Sequence, residues 1–99
     1  MKVSNMMGRS GSKVANQFII EDEGRGALGN FLKREVFQSY NTVIAVKTTW
    51  ADGVRVELDR DSWDYSRTTG KYRNQFLGET KKETERKIKD GTYTLANLN

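Results

Sequence analysis

The chain contains no cysteine and no histidine. Together these absences remove zinc sites, iron–sulfur clusters, histidine-held haem, thiol nucleophiles and every Ser-His or Cys-His dyad. They also remove the one side chain whose ordinary pKa lies near neutrality. Acid–base catalysis would then fall to a shifted carboxylate, lysine or tyrosine, which needs deep burial. A 99-residue chain has little depth to offer. A domain of this size buries only roughly 60–65% of the surface its unfolded form exposes. Long apolar runs are absent too. Nothing approaches the roughly 18–20 residues of a membrane span. Met1-Lys2 leads into polar residues, with no apolar signal core behind it. The composition therefore points to a non-enzymatic protein with no metal, no cofactor and no membrane attachment. The missing cysteine is compatible with a reducing cytoplasm.

What is present is enough for one small domain. Two Trp, four Tyr and four Phe supply a core, although charged residues make up 30% of the chain. Seventeen Lys and Arg against thirteen Asp and Glu leave a net charge of +4. This basic bias permits contact with a polyanion without requiring it.

Residues 1–16 mix Gly8, Gly11, Ser4, Ser10, Ser12, Asn5 and Asn16 with Arg9 and Lys13. That composition reads as a flexible basic arm, with the folded domain occupying residues 17–99. Gln17 to Ile20 has strand character and is ended by the acidic run Glu21-Asp22-Glu23. Gly24 to Asn30 is a glycine-rich loop, and Phe31 to Arg34 fits either a helical turn or a strand. Residues 36–59 read as a three-stranded antiparallel meander. Val36 to Tyr40 comes first, punctuated by Asn41-Thr42. Val43 to Trp50 follows, with Val43, Ala45 and Thr49 on one face and Ile44, Val46, Thr48 and Trp50 on the other. Ala51-Asp52-Gly53 marks a tight turn, and Val54, Val56 and Leu58 then alternate with Arg55, Glu57 and Asp59. The period changes after that. Thr69 to Leu77 fits a short helix with Tyr72, Phe76 and Leu77 inward and Gly78 just past its end. Thr80 and Glu83 form a capping box for a surface helix that runs to about Asp90, and Thr92 to Leu95 ends the chain as a short strand. The expected fold is α+β, an antiparallel sheet of four to five strands with two C-terminal helices packed on it.

Three constellations invite chemistry. Gly24-Arg25-Gly26-Ala27-Leu28-Gly29 matches G-x-G-x-x-G. A dinucleotide site needs a long helix directly after the glycines, and here a β-branched run begins within about ten residues. The motif therefore reads as a loop. Glu57, Asp59, Asp61 and Asp64 gather where a strand ends and could hold a divalent cation. The plainer reading makes them a solvated strand face and turn residues. The third constellation, Trp63 to Phe76, is the most distinctive. Arg67, Lys71 and Arg73 carry three positive charges with no acid between them, interleaved with Tyr65 and Tyr72. Ser66, Thr68 and Thr69 precede a helix start, where free N–H groups favour an anion. Such a patch could hold phosphates, stack bases or meet acidic side chains of a protein, with Arg9 and Lys13 extending it. Alternatively, the aromatics are core and the cations are their solvated margin.

The strings Phe37-Gln38-Ser39-Tyr40-Asn41-Thr42, Trp63-Asp64-Tyr65-Ser66 and Lys71-Tyr72-Arg73-Asn74-Gln75-Phe76-Leu77 resemble a family of small uncharacterised bacteriophage proteins, a domain of unknown function. Lys82-Glu83-Thr84 and the opening from Arg9 to Phe18 fit as well. The resemblance implies a phage accessory protein acting in the host bacterial cytoplasm, and it carries no catalytic residue. By analogy with small phage inhibitors, including anti-CRISPR proteins, the expected partner is a host protein or nucleoprotein complex. Direct nucleic-acid binding through Tyr65, Arg67, Lys71, Tyr72 and Arg73 is the alternative.

Overall fold

The computed structural model describes residues 1–24 and 31–99. Among these, six strands and two helices follow one another as β1 (Lys2–Met7), β2 (Lys13–Glu23), β3 (Lys33–Ser39), β4 (Thr42–Trp50), β5 (Gly53–Asp59), α1 (Arg67–Leu77), α2 (Lys81–Lys89) and β6 (Tyr93–Ala96). The strands form one sheet in sequence order. Neighbours are antiparallel from β1 to β5, and β6 is parallel to β5 because the two helices carry the chain back across the sheet. Among the described residues no helix is long and apolar enough to cross a membrane.

The α+β architecture and the central meander agree with the pattern of the sequence. The sheet is larger than the expected four to five strands, and the added strand comes from the N-terminus. Residues 1–16 do not form a loose arm. Lys2 to Asn5 pair with Phe18 to Glu21, and Gly8 and Gly11 close the hairpin, with Gly11 at φ 78°. Met6 anchors this strand by entering the core at 5% exposure. The acidic run also extends β2 and does not end it. Glu21, Asp22 and Glu23 lie opposite Glu35, Arg34 and Lys33 on β3, and Lys33 lies 3.5 Å from Glu21. Two of the three acids face a cation across the ladder, and Lys33 lies between Glu21 and Glu35, which face each other. Gly24 follows the strand, and the remainder of the G-x-G-x-x-G motif lies outside the described residues.

The core lies between one sheet face and the two helices. Phe37, Ala45, Val56 and Leu58 meet Tyr72 and Phe76 of α1 and Ile88 of α2. The rings of Phe37 and Phe76 stack with centroids 5.8 Å apart. A β-bulge opposite Phe37 and Gln38 leaves one extra residue in β4. As a result Ile44 and Ala45 are both fully buried in the same core, where strict alternation had placed them on opposite faces. Trp50 lies on the other face, 5.6 Å below the Arg55 guanidinium. The turn into β4 is made one residue early, with Tyr40 itself at φ 55°.

Candidate functional site

Helix α1 begins at Ser66, whose side chain accepts a hydrogen bond from the Thr69 N–H at 3.1 Å. Capping by a serine in extended backbone is the ordinary way to start a helix. Two further contacts lock this start to the sheet. The Ser66 hydroxyl donates to Thr69 Oγ1 at 3.0 Å, and Thr69 Oγ1 lies 3.2 Å from Ser39 Oγ on β3. At the other end Gly78, at φ 69°, lets the chain leave the helix in the left-handed conformation. Only Gly78, Glu79 and Thr80 separate α1 from α2, and the side chain of Lys81, the first residue of α2, reaches Asp64 ahead of α1.

Two faces of α1 follow from this placement. Thr69, Gly70, Tyr72 and Arg73 are buried, Thr69 and Tyr72 toward the sheet and Gly70 beneath the Arg73 guanidinium. Arg67, Lys71 and Asn74 stand at i, i+4 and i+7 on the more exposed side, in line with buried Gly70 at i+3. With Asp64, Tyr65, Ser66, Arg73 and Lys81 they line an open cleft of about 680 Å³.

Beneath the cleft is an ion-pair network. Arg73 is 1% exposed. Its Nη1 donates to the Trp63 carbonyl at 2.8 Å and to Asp64 Oδ1 at 3.1 Å, and its Nη2 donates to Asn74 Oδ1 at 2.9 Å. The guanidinium sits 5.1 Å from the Trp63 ring centroid. Its Nε is buried with no partner. Asp64 turns its second oxygen to Lys81 Nζ at 2.7 Å. Burial pushes the Asp64 carboxyl up, but hydrogen bonds and charge from Lys81 and Arg73 outweigh it and hold the group below its usual value. Lys81 is raised in turn by Asp64. The carboxylate is consumed by two cations, and Arg67 and Lys71 remain exposed around it. Tyr65, at 51% exposure, offers a ring to solvent beside them.

The residues singled out in the sequence divide accordingly. Tyr65, Arg67 and Lys71 share the cleft. Arg73 reaches its wall but is a buried structural cation, not the surface charge its neighbours suggested. Tyr72 is core at 8% exposure. Arg9 and Lys13 are exposed on the β1–β2 hairpin and are not among the cleft-lining residues. Lys81, Gly70 and Asn74 went unnoticed in the linear reading. The helical spacing of Arg67, Gly70, Lys71 and Asn74 was the available signal for two of them, while Lys81 enters only through the tight link between the helices.

The remaining acids serve the fold. The Asp59 carboxylate accepts the Leu98 N–H at 3.0 Å. Burial raises this group, but hydrogen bonds from Leu98, Ser62 and Asn99 hold it below the ordinary value. Among the described residues no three acidic side chains are gathered to hold a metal ion. Glu79 is the other buried acid. It accepts from Lys87 Nζ at 2.7 Å, the Tyr93 hydroxyl at 2.7 Å and the Thr84 hydroxyl at 2.6 Å. This fully partnered cluster ties the link between the helices to α2 and β6.

No curated protein and no solved structure matches the chain. One family model does, over residues 1–91, and its description is a family of unknown function, DUF8033. That span takes in every strand from β1 to β5, both helices and every residue of the cleft. The chain belongs to the DUF8033 family of unknown function.

Proposed function

We propose that this protein is a phage-encoded accessory protein that works without catalysis. It binds a host protein or nucleoprotein complex, within nucleic-acid machinery or a defence system, and inhibits or redirects it in the bacterial cytoplasm. The observation that carries the binding role is the cleft at the start of α1. Exposed Arg67, Lys71 and Lys81 and half-exposed Tyr65 surround one carboxylate already neutralised by Arg73 and Lys81. Such a rim is complementary to an acidic surface, and rim charges of this kind govern how fast and how selectively partners meet. A non-catalytic role is supported by the use made of the perturbed acids. Asp59, Asp64 and Glu79 each spend their hydrogen-bonding capacity inside the fold. The phage and host terms rest on the resemblance of the Phe37–Thr42, Trp63–Ser66 and Lys71–Leu77 strings to small bacteriophage proteins.

Direct nucleic-acid binding is the second reading, and the exposure of Tyr65 among cations favours it, since an aromatic ring beside positive charge is a stacking platform for bases. Capture from bacterial lysate tests the first reading, using the wild type and an Arg67→Glu/Lys71→Glu variant with the same melting temperature. A host component held at stoichiometric amount by the wild type and lost by the variant is the expected result. Equal capture by both proteins would remove the cleft from the interface. Retention on DNA or RNA that weakens steeply with salt would support the second reading.

A further inference from the structure

The two helices cover one face of the sheet, and among the described residues no helix or strand lies over the other face. An antiparallel sheet can leave one face to water, and that face is then ordinarily polar. Here its middle is apolar. The register sets Val3, Ile20, Val36 and Val46 side by side across four neighbouring strands, with Glu57 and Thr94 completing the row on β5 and β6. These residues alternate along their strands with Ile19, Phe37, Ala45 and Leu58 of the core, so they point away from the helices. Val46 is buried, Ile20 and Val36 are half-buried, and Val3 is 55% exposed. Phe18 and Val43 widen the stripe on one side. The row on its other side is Asp22, Arg34, Thr48 and Arg55.

These two rows hold two acids and two arginines, so they are neutral while the chain carries +4. A neutral, apolar surface does not suit a polyanion. The placement of its charges suits a second copy of the same surface. Asp22 on β2 and Arg55 on β5 stand three strands apart, roughly 14 Å, too far to pair within the chain. The six strands are disposed evenly about the line between β3 and β4. A two-fold axis along that line lays β2 over the partner's β5 and β3 over the partner's β4, and it keeps the strands aligned as face-to-face sheets prefer. Asp22 then meets the partner's Arg55, twice by symmetry, and Val36 meets the partner's Val46 at the centre. Both charged groups are available for this. Asp22 lies 3.4 Å from the N-terminal ammonium and Arg55 lies 3.7 Å from Asp52, both in solvated pairs.

We infer that the uncovered sheet face is the interface of a symmetric homodimer, centred on Val36 and Val46 and flanked by two Asp22–Arg55 pairs between the copies. The size is sufficient. Six strands about 4.8 Å apart, each contributing about seven residues at about 3.3 Å, present roughly 650 Å² in projection. An ordinary stable interface buries about 800 Å² of accessible surface per partner, and pleated side chains expose more than their projection. The cleft of α1 lies on the helix-covered side of the sheet, so the dimer carries two clefts on its outer faces. The inference does not depend on what those clefts bind.

Sedimentation equilibrium of the full chain from about 1 µM to about 1 mM tests it. The expected result is a reversible rise toward twice the 11.3 kDa chain mass, with a melting temperature that climbs with concentration. Val36→Lys sets two like charges near the axis and should weaken the dimer at least ten-fold. The charge pair supplies a test on exposed residues, where the fold is not at stake. Arg55→Asp should weaken the dimer, because it faces Asp22 of the other copy, and Asp22→Arg/Arg55→Asp should restore it. A chain that stays monomeric throughout the range would overturn the inference. So would a dimer whose affinity is the same in all three variants, since its interface would then lie elsewhere, as in pairing of two β1 edges. Loss in Arg55→Asp without recovery in the double variant would remove the two-fold arrangement proposed.

Discussion

Arg73 carries a full charge at 1% exposure, and three acceptors make that tolerable. A buried cation without partners would be expelled or would unfold the site, whereas one that is paired and hydrogen-bonded persists. Its planar fork reaches the Trp63 carbonyl, Asp64 and Asn74 together, a geometry that a lysine ammonium does not reproduce. Removing one member of a buried pair usually costs about 3–5 kcal/mol. Asp64 is 30% exposed and keeps Lys81, so Arg73→Met should fall at the lower end, near 3 kcal/mol. Arg73→Lys should recover little of that loss. Urea unfolding of both variants checks the expectation, and an Arg73→Lys protein as stable as the wild type would contradict it. Lys81→Met, on the solvent side of the same carboxylate, should barely move the midpoint, because exposed pairs contribute little.

Helix α1 depends on its ends more than on its composition. Its interior holds Thr68, Thr69 and Gly70, none of them a strong helix former. Ser66 compensates by capping the first turn and by feeding the hydroxyl chain through Thr69 to Ser39 on β3. Ser66→Ala should therefore lower stability by about 1 kcal/mol. Ser66→Asp should recover most of it, since a carboxylate caps equally well. Thermal melts of the pair decide the matter, and an Ser66→Ala protein that melts with the wild type would show that the cap is dispensable. Gly78→Ala tests the other end. A Cβ there meets nothing within 4 Å, so any loss reports the left-handed backbone alone. That conformation costs about 1–2 kcal/mol for a residue with a side chain.

At the scale of the whole molecule, the absence of histidine and cysteine leaves no side chain whose ordinary pKa lies between about 5 and 8. Stability should be nearly level across that window, with limbs on either side. Asp59, Asp64 and Glu79 are each held below their ordinary values, because hydrogen bonds to the charged forms outweigh burial. The unfolded state binds protons more readily at these positions. Their contribution is fully present above the ordinary carboxylate range near 4 and is lost as pH falls through the lower folded values. Tyr93 is raised by burial and by donating to Glu79, and Lys87 is raised by its hydrogen bond to Glu79. Stabilisation from these two is present below about 10 and is lost as pH rises through the folded values. The urea midpoint should thus be flat through neutrality and fall at both extremes. Glu79→Gln should weaken both limbs, because the same carboxylate serves each. A midpoint that varies strongly between pH 5 and 8 would contradict this picture.

Much of this protein could be read from local pattern. The alternation of Val54, Val56 and Leu58 fixed a half-buried strand, and Asp52-Gly53 its turn. Thr80 and Glu83 marked a helix start, and both halves of the capping box are formed. The run from Trp63 to Phe76 marked a candidate site, because cations without intervening acid stand out in any window. Other features depended on partners distant in the chain. The strand β1 is legible only once β2 lies beside it and Met6 has a core to enter. The acidic run Glu21 to Glu23 pairs because Lys33 and Arg34 come to face it. Arg73 looked like one more surface cation, and only packing against Trp63 and Asp64 made it a buried one. The sequence determined that this is a small α+β domain with no cysteine and no histidine, and with Arg67, Lys71 and Arg73 close together near one helix start, since those properties follow from residue type and spacing. Tertiary structure decided which charges remain free. Burial and pairing are set by what lies across the sheet or at the head of the next helix, and no local window contains that information.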